Sequence, residues 1–83
     1  MSSVYKLLGT ELSISSANTV STAKVVRVVN VTNAITVLTV AYSNGTSYGN
    51  TTIAPNETLI VEKSPTDTVA GSNLRASSIA YRN

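Results

Sequence analysis

Cysteine, histidine, phenylalanine and tryptophan are all absent from this chain of 83 residues, and only 12% of it is charged. Without cysteine there is neither a disulfide framework nor a thiolate zinc site to staple the fold. Without histidine and cysteine, the usual general base and thiol nucleophile of neutral-pH chemistry are missing too. The acidic side chains left for catalysis are Glu11, Glu57, Glu62 and Asp67, and nothing in their spacing suggests the shared cleft that a working carboxylate pair needs. Nor do they sit in the dense Asp/Asn/Gly loop that gathers roughly six to eight oxygens around calcium. The chain therefore reads as no enzyme, with no metal and no cofactor.

Charge is equally sparse in pattern. Lys6, Lys24, Arg27, Lys63, Arg75 and Arg82 give a formal net charge of +2 and are scattered along the sequence. A nucleic-acid surface wants a basic stripe with aromatics interleaved, so these residues read as solvated rim charges. Lys63 and Asp67, close together in "KSPTD", read as a local ion pair, worth little if exposed. No apolar run approaches the roughly 20 residues that cross a bilayer, and the opening "MSSVYKLLGTELSISS" lacks the charged-then-apolar order of a secretory signal. The expectation is a protein made and assembled in a cytoplasm, with neither nucleic acid nor membrane as partner. Asn-x-Thr sequences at Asn30, Asn44, Asn50 and Asn56 match the glycosylation pattern; with Asn and Thr so frequent, they read as coincidence.

Ser, Thr, Asn and Val dominate what is present, and 42% of the chain is apolar. β-Branched side chains sit well on a pleated surface, and this apolar fraction is too high for disorder. Residues 1–83 make one domain, which at this size buries only about 60–65% of the surface its unfolded form exposes. The stability margin is thin, so packing or association must supply the rest.

Turn signals divide the chain into short extended segments. "VYKLL" comes first, within residues 1–9, an N-terminal arm or an edge strand. "ELSIS" alternates, with Leu12 and Ile14 on one face. A Val-rich strand runs from Lys24 to Thr32, and "ITVLTVAYS" follows a turn at Thr32-Asn33-Ala34. Asn44-Gly45 suits a two-residue type I′ hairpin turn, which pairs Ser43 with Thr46 and Tyr42 with Ser47. Gly49-Asn50 marks a bulge in the return strand. Pro55-Asn56 turns the chain into "TLIVEK", and "SSIAYR" closes it. Six or seven short strands with no amphipathic helix predict an all-β fold, a small antiparallel β-sandwich of jelly-roll-like or immunoglobulin-like topology.

One stretch breaks the usual sandwich pattern of one buried and one wet face. In "KVVRVVNVTNAITVLTV", Lys24 to Val40, two strands are apolar on both faces. Val25, Arg27, Val29 and Val31 share one parity; Val26, Val28 and Asn30 share the other. The parity with Arg27 is expected to point outward, since its charge suits a polar rim. Association with other subunits would cover that face. The candidate subunit-interface residues are thus Val25, Arg27, Val29 and Val31, with Ile35 and Val37 from the next strand and the tyrosines Tyr42 and Tyr48. These two flank the Asn-Gly turn and are the best placed aromatics for stacking on a sugar or a protein partner.

Several phrases carry a resemblance to a known group: the opening "VYKLLGT", the connection "ANTV", the segment "APNETLIVEKSPTDTVAG" and the closing "SSIAYRN". Together they resemble small virion structural proteins of tailed bacteriophages, especially phages of cyanobacteria. The resemblance spans most of the chain and carries no catalytic signature. It implies a virion location and partners among other virion proteins: the major capsid protein, or tail and neck proteins. The expected role is that of a homo-oligomeric capsid decoration or cement protein, the alternatives being a neck, tail or fibre component. A carbohydrate-binding or adhesion module built on Tyr42 and Tyr48 is the alternative of a different class.

Overall fold

The computed structural model describes residues 4–82, with side chains for residues 6–80. Eight strands form two antiparallel sheets, and there is no helix among the described residues. They are β1 (Val4–Leu7), β2 (Leu12–Ser13), β3 (Val25–Asn30), β4 (Thr36–Ala41), β5 (Ser47–Ile53), β6 (Thr58–Glu62), β7 (Thr68–Ala70) and β8 (Leu74–Arg82). The larger sheet runs β1-β8-β3-β6, with β2 pairing β8 beyond the end of β1; the smaller runs β5-β4-β7. Asn18 adds a single bridge to Val69 on the free side of β7.

The pairs are nested. β4 pairs β5, β3 pairs β6, the Asn18 segment pairs β7, and β1 with β2 pairs β8. The chain is one long antiparallel ribbon wrapped so that successive rungs alternate between the sheets. That winding is the jelly roll, and it decides between the two topologies the sequence leaves open. The expected strand from "ITVLTVAYS" does not pair with the Val-rich strand before it. β3 and β4 lie in different sheets, because the connection Val31–Ile35 carries the chain across the sandwich.

The core forms between the sheets from Val26 and Val28 of β3, Leu38 of β4, Ile53 of β5, Val69 of β7 and Leu74 and Ala76 of β8, with Ile14, Val20 and Ala23 closing it. Asn30, the last inward residue of β3, is fully buried. Its Nδ2 donates to the carbonyls of Ala34 (2.8 Å), Ala54 (3.1 Å) and Ile53 (3.2 Å), and its Oδ1 accepts from the N–H and hydroxyl of Thr32. One amide thereby ties the β3–β4 crossing to the end of β5, with every polar atom partnered.

The turns follow local chemistry, with one correction. At the Asn-Gly hairpin the expected type I′ turn is replaced by a three-residue loop. Tyr42 N–H donates to Thr46 O and Gly45 N–H to Tyr42 O, both at 2.9 Å. Gly45 has φ 94° while Asn44 keeps negative φ, since its Oδ1 accepts from Thr46 N–H instead. Ala41 therefore faces Ser47, one residue out of the expected register, and Tyr48 is the extra residue of a bulge between Ala41↔Ser47 and Val40↔Gly49. Pro55-Asn56 behaves as expected: proline presets the first central position and Asn56 takes φ 62° at the second, as a type II turn requires.

Candidate functional site

The register of the larger sheet lays its outward side chains in rows. Leu7, Ile79, Val25 and Glu62 lie side by side across β1, β8, β3 and β6; Ser77, Arg27 and Ile60 form the next row; Ser13, Arg75, Val29 and Thr58 the third. Leu7 is 66% exposed and Ile60 37%, while Val25, Arg27 and Val29 are half-buried. A hollow of ≈ 460 Å³ opens beside the first row, and Leu8, Ala23, Val25, Ile79 and Ala80 give it apolar walls.

Glu11 fixes the polar part of this face. Its Oε1 accepts from Arg75 Nε at 3.0 Å and its Oε2 lies 3.7 Å from Arg27 Nη1. The carboxylate thus pins the chain between β1 and β2 to β8 and β3, and its two oxygens sit between two guanidinium groups.

The smaller sheet presents a different surface. Outward from it point Val37, Thr39 and Ala41 of β4, opposite Thr52 and Asn50 of β5 and Thr68 and Ala70 of β7, a mostly hydroxyl and amide face with Val37 its one large apolar side chain. At its hairpin end the Tyr42 and Tyr48 rings pack at 4.5 Å between centroids, tilted by 36°. Both remain about half exposed. The bulge aims Tyr48 so that its hydroxyl donates to Asp67 Oδ2 at 2.8 Å. That bond to a carboxylate, with burial and charge adding to it, raises the phenol above its ordinary value.

Lys63 is not the solvated rim charge expected from sequence, and its amine bonds to carbonyls rather than pairing with Asp67. Both are buried, and Lys63 Nζ donates to Ala23 O at 2.7 Å and to Ser64 O and Pro65 O at 3.4 Å. Asp67 Oδ2 also accepts from Ser64 N–H at 3.3 Å. Loss of water lowers the Lys63 amine below its ordinary value, against the pull of the Asp67 charge. A shallow hollow of ≈ 420 Å³ beside them is lined by Lys24, Tyr48, Glu62, Lys63, Ser64 and Pro65. Among the described residues no group of three His, Cys, Asp or Glu side chains is placed to hold a metal ion.

The candidate interface residues do not share one patch. Val25, Arg27 and Val29 lie on the outer face of the larger sheet, the parity expected to face outward. Val31 and Ile35 are exposed in the crossing between sheets, Val37 faces outward from the smaller sheet, and Tyr42 and Tyr48 cap its hairpin end. The rings of Tyr42 and Tyr48 are brought into direct contact. Sequence reasoning missed Leu7 and Ile60, whose neighbours depend on pairing partners distant in sequence. It missed the Glu11 clamp for the same reason. No protein-family model, curated protein or solved structure matches the chain.

Proposed function

We propose that this chain is a non-enzymatic structural subunit of a tailed-phage virion, a decoration or cement protein that stabilises a repeating lattice of capsid protein through subunit contacts. The observation that carries this reading is the outer face of the larger sheet. Leu7, Val25 and Ile79 lie side by side near a hollow of ≈ 460 Å³, Leu7 exposed, Val25 half-buried and Ile79 buried beneath them, and Ile60 stands exposed in the next row. Arg27 in the second row and Arg75 in the third are both held by Glu11. An apolar centre with fixed polar groups at its border is the anatomy of a protein-binding patch. The resemblance of the sequence to phage structural proteins supplies the partner class. The test is co-sedimentation of the purified chain with capsids stripped of it. Wild type should bind, and Val25→Glu with Ile60→Glu should lose at least tenfold in affinity with an unchanged circular dichroism spectrum. Equal binding by the double variant would overturn the role of this face.

A second reading, a carbohydrate-binding module, is favoured by the half-exposed Tyr42–Tyr48 pair beside the hollow that holds Lys24 and Glu62. Sugar rings stack on such aromatics while their hydroxyls bond to charged rims. Glycan-array binding that vanishes in Tyr42→Ala with Tyr48→Ala would establish it, and an array without a positive signal would dismiss it.

A further inference from the structure

The two ends of the β-ribbon's winding are covered unequally. On one flank β1, β2 and the Asn18 bridge extend the sheets and Ile14, Val20 and Ala23 close the core. The other flank ends in β5 of the smaller sheet and β6 of the larger, and among the described residues neither has a further strand beside it. Three of the four apolar side chains that touch the core but remain partly exposed, Val40, Leu59 and Val61, belong to this side, Leu12 being the fourth. A cleft of ≈ 200 Å³ enters between the sheets here, walled by Leu38 and Val40, by Gly49–Thr51 of β5 and by Val61 and Glu62 of β6.

Natural edge strands are protected by lysine, proline, inward charge or shortness. β5 has seven residues and none of those charges or prolines, and its one device, the bulge at Tyr48, leaves Gly49 to Ile53 regular. β6 carries one charge, Glu62, at its end.

We propose that this flank is a homodimer contact in which β5 pairs antiparallel with β5 of a second copy, while the two β6 strands meet alongside. The inference deepens the reading of the chain as an assembling subunit by naming one partner and the surface that takes it. A twofold axis through β5 near Asn50 makes one six-stranded sheet from two three-stranded ones. β5 presents no charge to its copy, so self-pairing brings no like charges together. Antiparallel approach of β6 about any centre from Leu59 to Val61 sets each Glu62 against an uncharged residue of the other strand. The extents of the body, 33 × 31 × 21 Å, cap this flank at roughly 650–700 Å² per copy, which reaches the lower part of the about 600–1,000 Å² per partner of a specific, stable interface. Association would cover Val40, Leu59 and Val61 and leave the outer face of the larger sheet free for the lattice.

The absence of cysteine makes the test clean. Asn50→Cys introduces a single thiol per chain, and directly opposed residues of an antiparallel pair lie about 4.5–5.5 Å apart at Cα, within disulfide reach. Mild oxidation should convert this variant to a covalent dimer, whereas Ser72→Cys, in the β7–β8 loop, should stay monomeric. Light scattering of the wild type should report a dimer, and Thr51→Lys a monomer with an unchanged circular dichroism spectrum. Should Thr51→Lys not fold, the cross-linking comparison decides alone. A wild-type monomer at high concentration, or a dimer in which Asn50→Cys cross-links no better than Ser72→Cys, would overturn the proposal. A monomer that still binds capsids would overturn edge pairing and spare the virion reading; a cross-linkable dimer that binds none would do the reverse.

Discussion

Among single residues, Asn30 and Asp67 carry the most consequence for their size. Asn30 partners three carbonyls and both Thr32 donors from a site with no solvent contact. Removing it strips partners from the buried Ile53 carbonyl, at about 1–3 kcal/mol, and from part-buried groups of Thr32, Ala34 and Ala54 at less. Asn30→Ala should therefore lower the unfolding free energy by roughly 2–4 kcal/mol in urea titration, a large part of what so small a domain has. Asp67 connects Tyr48 to the Lys63 loop, and the two groups it touches titrate with opposite signs. Lys63 is lowered from 10.5 by burial, so above the folded value the unfolded chain holds more protons and stability rises with pH until the unfolded value is passed. Tyr48 is raised from 10.0 by its bond to Asp67, so its contribution is present below that value and lost as pH climbs through the folded one. Asp67→Asn should move the Tyr48 transition back toward 10.0 and lower Lys63 further, since the charge that favours its cation is gone. Carbon-13 titration of the tyrosine Cζ and lysine Cε resonances reads both.

At the scale of elements, the inward and outward parities of β3 and β4 make sharp and unequal predictions. Val28 and Leu38 are fully buried in the core, and an unpaired carboxylate there has no compensating partner. Val28→Asp or Leu38→Asp should abolish folding, whereas Val29→Asp, on the same strand but facing out, should leave a cooperative thermal transition. Gly71, between β7 and β8, is constrained by space: an added Cβ would lie 2.6 Å from Val37 O and run into Leu74 Cδ1. Its N–H donates to Ile14 O at 2.8 Å, so the backbone cannot easily withdraw. Gly71→Ala should cost about 1–3 kcal/mol by overpacking, measured by denaturant melts. Strand positions and the outward parity of Arg27 were legible because alternation and turn residues act locally. The crossing of β3 and β4 was not, since Val31–Ile35 has the composition of an ordinary hairpin turn and only pairing with β6, β8, β5 and β7 separates the sheets. Lys63 was misread for a related reason. A lysine in a Ser-Pro loop suggests solvent, and the carbonyl of Ala23 that accepts from it arrives from 40 residues away.

For the whole molecule, the second apolar face of the Val-rich strand resolves into geography. Val26 and Val28 belong to the core; Val25 and Val29 belong to an outer face that also draws Leu7 from β1 and Ile60 from β6. A jelly roll serves many functions, so the fold alone supplies no role. What distinguishes this one is the division of its exterior into a sheet face that mixes Leu7, Val25, Val29 and Ile60 with Arg27, Arg75 and Glu62, a hydroxyl-rich opposite face and an uncovered flank between β5 and β6. On the proposed reading the first meets the lattice and the third meets a second copy, leaving the hydroxyl-rich face to solvent. Electron cryo-microscopy of intact particles that carry the chain tests this most directly. The expected density is a two-layered sandwich at regular lattice positions, with the β1-β8-β3-β6 face against the capsid protein. Particles without such density, or a sandwich seated on the lattice through its β5-β4-β7 face, would contradict it.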